Sequence, residues 1–192
     1  MFACDAHRLL LVLALAACAA AVLPASALAA AGNKRRGAAC QNTTLQPAPG
    51  NLALVRAAVL CLHNAERRAR GLPLLRENAK LRRAAQGHSD DMVRNDYFDH
   101  DSRSGADMAA RILATGYARN RGWSLGENIA WGTGKLATAG EIQRAWMRSP
   151  GHKANILRRQ FRDIGIGIAV GAPVAGGGLE GATYTADFGV RR

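Results

Sequence analysis

Aromatic residues are scarce in this chain, at 5%, and they are not interleaved with its basic residues. That scarcity removes the stacking platform that single-stranded nucleic acid needs, so no specific nucleic-acid partner is expected. Acidic residues are also few: 14 Asp and Glu stand against 26 Lys and Arg, for a net charge of +12. There is no Gly-x-Ser-x-Gly elbow and no His-Glu-x-x-His. Serine-hydrolase and zincin chemistry therefore lack their usual motifs. No internal repeat is present, which excludes a solenoid. Cysteine is limited to four residues. Beyond the N-terminal run, no apolar stretch is long enough to span a membrane.

What is present begins with that run. Arg8 precedes apolar residues from Leu9 to Leu23, followed by Pro24 and the small-residue stretch Ala25–Ala30. The pattern predicts a secretory signal peptide over residues 1–30 and a secreted or periplasmic protein. Leu15-Ala16-Ala17-Cys18 offers a second reading, a lipobox with Cys18 as the lipidated residue, although apolar residues continue beyond it. Ordinary cleavage leaves Cys40 and Cys61, and two thiols in an oxidising compartment predict one disulfide. The alternative is a pair of free thiols, with Cys61 packed in a helix. Removing residues 1–30 takes away Asp5 and Arg8 together, so the charge of +12 persists. Such a surface attracts anionic envelope components and lipid head groups. Its arginines are scattered, as at Arg67, Arg68 and Arg70 or at Arg158 and Arg159, which fits solvated helix faces.

Residues 31–50 read as a polar, poorly ordered linker, and 51–192 as one domain. Asn51 reads as an N-cap, and Leu52, Val55, Val59 and Leu62 recur at helical spacing until Gly71 and Pro73. Asn78 caps a second helix whose apolar face carries Leu81, Ala85, His88 and Met92. Ser104-x-x-Asp107 opens a short third helix ending at Gly116. Thr138-x-x-Glu141 reads as a capping box for a fourth, which stops at Ser149-Pro150-Gly151. Strands are expected at Trp123–Trp131, Ile164–Ile168 and Ala182–Val190, the last two joined by a Gly-rich hairpin loop. Helices first and strands later indicate an α+β fold.

Three short motifs carry the chemistry: Tyr97-Phe98-Asp99-His100, Gly126-Glu127-Asn128-Ile129-Ala130 and Ser149-Pro150-Gly151-His152-Lys153-Ala154-Asn155. Two imidazoles and a carboxylate suit a zinc-like ion. Each residue also has a plainer reading: a surface His in an acidic turn, a Glu bonding backbone, and a His at a helix start. The order of the motifs, with Trp146 just before the last, resembles the CAP superfamily. That superfamily comprises cysteine-rich secretory proteins, antigen 5 and pathogenesis-related 1 proteins, and the chain resembles its bacterial branch from about Leu60 to Gly189.

The resemblance implies a three-layer α-β-α sandwich with a central antiparallel sheet. It also implies a cleft in which His100, Glu127 and His152 meet and hold Zn²⁺ or another divalent cation. Ser149 stands where many eukaryotic members carry a second Glu, which leaves one fewer anionic ligand. His88, on the apolar face of the second helix, is a further cleft candidate, although a lone His there is more often core. The implied function is an exported, monomeric, non-enzymatic module that binds metal, a lipid or an envelope partner. The alternative is a metal-assisted hydrolase of a peptide or ester, with Glu127 as general base.

Overall fold

A computed structural model describes residues 39–118, 122–174 and 180–191. The candidate leader, Cys18, residues 31–38 of the linker and residues 175–179 of the Gly-rich connection lie outside these. Among the described residues, five α-helices and four strands follow one another: α1 (Leu52–Ala69), β1 (Arg76–Glu77), α2 (Ala79–Arg94), α3 (Met108–Ala114), β2 (Trp123–Thr133), α4 (Ala139–Arg148), α5 (Pro150–Leu157), β3 (Asp163–Val170) and β4 (Gly181–Arg191). The sheet order is β1-β3-β4-β2. The three long strands are antiparallel, as expected, and the two-residue β1 adds a parallel edge beside β3. Arg76 and Glu77 are both exposed and too few to display a period, so no sequence pattern marks β1.

Period-two alternation in β3 explains the layering. Ile164, Ile166 and Ile168 join Val55, Val59, Ile142, Trp146, Ile156 and Phe188 in the main core, between the sheet and α1, α4 and α5. The alternating residues Gly165 and Gly167 face α2. A Cβ at Gly165 would lie 2.0 Å from the Arg82 backbone nitrogen, and one at Gly167 would lie 2.3 Å from Ala85. Only glycine lets α2 settle this close to the strand. The α2 face of the sheet is accordingly small or polar: Thr183, Thr185 and Asp187 of β4 are all buried there. The hydroxyls of Ser89 on α2 and Thr185 share a hydrogen bond of 2.9 Å across the interface.

Helix ends follow local chemistry with four departures from expectation. Asn78 caps α2 by accepting from the Lys80 and Leu81 amides. Asn51 occupies the N-cap position of α1, but its side chain turns back to the Ala48 amide and the Gln46 carbonyl. Asp107, rather than Ser104, caps α3 by accepting from Ala110. The capping box at Thr138 does not form, because its hydroxyl bonds the Lys135 carbonyl while Glu141 pairs with Arg144. Pro150 starts α5 instead of ending a turn, as fits a residue with no amide hydrogen at the first helical position.

The segment 39–50 lies against the domain. Cys40 and Cys61 are joined in a disulfide, Pro47 is buried, and the Thr43 carbonyl accepts from the Gly140 amide at 2.8 Å. Closing a loop of this length stabilises by about 3 kcal/mol on chain-entropy grounds. Arg67 of α1 is fully buried, and it donates to the carbonyls of Pro73, Ile156, Arg158 and Phe161. One guanidinium thus ties the end of α1 to the end of α5 and the start of β3.

His63, also on α1, packs its ring over Phe188 and edge-on to Trp146. Burial drives its pKa down to about 4. The folded state therefore keeps His63 neutral, while the unfolded chain takes up a proton below its ordinary value. Stability from this group is lost as pH falls between about 6.5 and 4. Between pH 7 and pH 5 the loss amounts to about 2 kcal/mol. In urea unfolding, the stability lost between the two pH values should be about 2 kcal/mol larger in the wild type than in His63→Leu. An equal pH dependence in both proteins would contradict the assignment.

Candidate functional site

Glu127 is the centre of the polar face. It lies in β2, an edge strand, directly opposite Asp187 of β4. Its side chain is 2% exposed. Burying a carboxylate is costly unless its charge is met, and here it is met on both oxygens. His100 Nδ1 donates to Oε1 at 2.8 Å, and Arg111 Nη2 donates to Oε2 at 2.7 Å. Arg111 is fixed in turn by the Ala106 carbonyl and the Ser102 hydroxyl. His100 is the open end of this chain, with a side chain 53% exposed.

The charges set each proton. Burial alone would raise the Glu127 pKa, but the His100 hydrogen bond and the Arg111 charge outweigh it and hold the group below its ordinary value. The same hydrogen bond raises His100 against its burial. Asp187 is pushed well above its ordinary value by burial and by the adjacent Glu127 charge. His152 is lowered by burial and, to a lesser extent, by the charge of His100.

Neighbouring residues explain why the motifs read as they do. Asn155 Nδ2 of α5 donates to the Glu127 carbonyl at 3.0 Å and to Asn128 Oδ1 at 2.9 Å. Asn128 Nδ2 donates to the His152 carbonyl at 3.0 Å. Trp146 Nε1 donates to the Ile129 carbonyl. Together they cover the edge of β2 and bring His152 to the site. Gly126 leaves room for the Asn155 contact: a Cβ would lie 3.0 Å from both Asn155 Oδ1 and the Phe161 ring, so either side chain would have to shift.

His100 and Glu127 meet directly, and the His152 backbone is tied to the next residue of the same strand through Asn128. His88 is 1% exposed, with Nε2 on the Asp99 carbonyl at 2.9 Å. Its pKa is lowered chiefly by burial. Ser149 is the hinge between α4 and α5; its carbonyl accepts from Lys153, and no hydrogen bond among the described residues joins it to His152. Arg111 and Asp187 are the members that sequence reading missed. Asp187 carried a usable signal, an acid inside an apolar strand, which is the argument that singled out Glu127.

Among the described residues, no three His, Cys, Asp or Glu side chains form a metal-holding group. Both Glu127 oxygens are engaged, which sets this carboxylate behind His100. A carboxylate on Nδ1 leaves Nε2 of the imidazole for a ligand, the usual support of a metal-bound histidine. The ring of His152 makes no hydrogen bond among the described residues, and its Nδ1 is buried. Imidazole nitrogens such as these are of the donor type that a divalent cation takes.

A sandwich of this topology, with a polar cluster at the edge of its sheet, is the architecture of SCP-domain proteins. The chain belongs to the cysteine-rich secretory protein (CAP) family, whose sequence model matches residues 60–179. It is 34% identical over 135 residues to the uncharacterized protein YkwD of Bacillus subtilis, covering 70% of this chain and 50% of that one. It is 32% identical over 112 residues to the uncharacterized membrane protein YlbC of the same organism, covering 57% and 30%. The chain thus spans half or less of the length of these curated relatives. An extracellular SCP-domain protein of Bacillus anthracis superposes with a TM-score of 0.56 at 27% identity, over 76% of this chain and 45% of that one. An outer surface protein of Borrelia burgdorferi shares the fold, with a TM-score of 0.57 at 18% identity over 70% and 90% of the two chains.

Asn155→Ala removes the latch on β2 and leaves the buried Glu127 carbonyl one donor short. A stability loss of about 1–3 kcal/mol is expected in urea unfolding. The His152 ring resonances should shift while those of His100 keep their place. Unchanged His152 resonances would contradict the latch.

Proposed function

We propose that this domain is an exported, non-catalytic binding module. Its recognition point is the His100–His152 pair, which takes a divalent cation, zinc by chemistry, together with donor atoms of a bound partner. The observation that carries this reading is the 2.8 Å bond from His100 Nδ1 to the buried Glu127. It fixes the imidazole orientation in advance, so little ordering is left for binding. The N-terminal run of residues 1–30 and the oxidised Cys40–Cys61 pair support export. The net charge of +12 supports retention at an anionic envelope, including lipid head groups.

The hydrolase alternative has less support. A general base works best with a pKa near the working pH. Glu127 is held below its ordinary value and spends both oxygens on hydrogen bonds from His100 and Arg111.

Calorimetric titration of the chelator-stripped domain with Zn²⁺ tests the proposal. One ion per chain should bind, and affinity should be essentially lost in His100→Ala and His152→Ala. Glu127→Gln, which keeps both imidazoles but loses the orienting charge, should weaken binding by about 10–100-fold. Absence of binding by folded wild type, or unaltered affinity in the histidine variants, would overturn it.

A further inference from the structure

A second cleft lies beyond the Glu127 cluster, between the C-terminal half of α2 and the loop 102–106, with a volume of about 480 Å³. Arg94, Arg103 and Arg111 line it. Arg111 is neutralised by Glu127, but neither Arg94 nor Arg103 has an ion-pair partner among the described residues. Arg103 is oriented by the Asp96 carbonyl at 3.1 Å and by the face of Tyr97. The one carboxylate on the wall, Asp91, is already occupied by Asn95 and the Tyr97 hydroxyl. The cleft is therefore cationic, with two guanidinium groups uncommitted to a counter-ion among the described residues.

His88 makes the cleft more specific than a basic patch. It lines the same wall and is 1% exposed. Its Nε2 faces a carbonyl, which accepts only, so Nε2 carries the hydrogen and Nδ1 is an acceptor. Among the described residues, that buried Nδ1 has no donor, and the buried Arg111 Nε–H has no acceptor. A buried acceptor and a buried donor left unpaired on one wall are complementary to a hydroxyl, which both donates and accepts.

We propose that this cleft binds a phosphate ester carrying a neighbouring hydroxyl, the chemistry of a polyol phosphate. The anionic oxygens meet Arg94 and Arg103, and the hydroxyl meets His88 and Arg111. Phosphate suits guanidinium forks because several oriented N–H groups converge on its oxygens. The site shares Arg111 with the Glu127 cluster, uses neither His100 nor His152, and requires no metal.

The probe is sn-glycerol 3-phosphate, titrated in the presence of chelator and followed by amide chemical shifts. Saturable shifts are expected at Gly87, Asn95 and Ser104, with His152 and Asn155 unmoved. Inorganic phosphate should bind more weakly, and glycerol alone should not bind. Gly87→Met is the blocking variant: Gly87 lines the cleft, a Cβ there meets nothing within 4 Å, and the change preserves every charge. It also replaces a helical glycine by a better helix former. Gly87→Met and Arg94→Gln/Arg103→Gln should each weaken binding by at least about tenfold. Arg68→Gln/Arg83→Gln, which removes the same charge from exposed positions elsewhere, should stay within about twofold. Phosphatidylglycerol vesicles, set against phosphatidylcholine vesicles, distinguish a lipid head group from a soluble ester as the source. The proposal is overturned if no saturable shifts occur at the three amides. It is equally overturned if glycerol 3-phosphate binds no better than inorganic phosphate, or if the control variant loses as much affinity as the cleft variants.

Discussion

The polar half of this fold is organised by one buried carboxylate. Glu127 sits inside a strand with almost no access to water, so its charge must be met within the protein. Arg111 meets it from α3, His100 meets it from the loop after α2, and burial together with its charge raises the pKa of Asp187 opposite it. Each of these elements is placed by the demands of that one group. The exposed imidazole is the consequence that reaches solvent. A site of this kind is preorganised because its internal charges already balance before any ligand arrives.

The two faces of the sheet divide the work. Large aliphatic and aromatic side chains fill the side toward α1, α4 and α5, and they supply the apolar burial that stabilises the fold. The α2 side is lined by glycine and polar groups, where a helix packs at backbone distance and Ser89 pairs with Thr185 across the interface. Arg67 and Asn155 carry the apolar layer's geometry to the site, one by tying α1 to α5 and the other by tying α5 to β2. The arrangement explains how residues far apart in sequence meet without a continuous motif.

Much of this was legible in the chain, for reasons that can be named. Strong periodicity gave α1 and α2, and the isoleucine–glycine alternation gave both faces of β3. A Glu in an apolar strand announced a partner, and the ordered motifs pointed to His100, which bonds it. Arg111 escaped because an arginine on a short helix looks like any solvated cation, and only tertiary packing turns it inward. Asp187 was read with the aromatic strand around it, and its acid character was overlooked. The failed capping box at Thr138 has a similar cause: Glu141 has an exposed Arg144 one turn away and takes that partner instead.

The chain's place in the CAP family fixes its architecture, while the Arg111–Glu127–His100 chain gives that architecture a specific electrostatic logic. The most direct test is a double-mutant cycle on Arg111 and Glu127, measured by urea unfolding near neutral pH. Arg111→Met strands a buried anion and should cost about 3–5 kcal/mol. Glu127→Gln strands a cation, and the double variant strands neither. The account predicts that the double variant loses less than the sum of the two by at least about 2 kcal/mol. Single effects that simply add, to within about 0.5 kcal/mol, would contradict the claim that Glu127 and Arg111 are buried for each other.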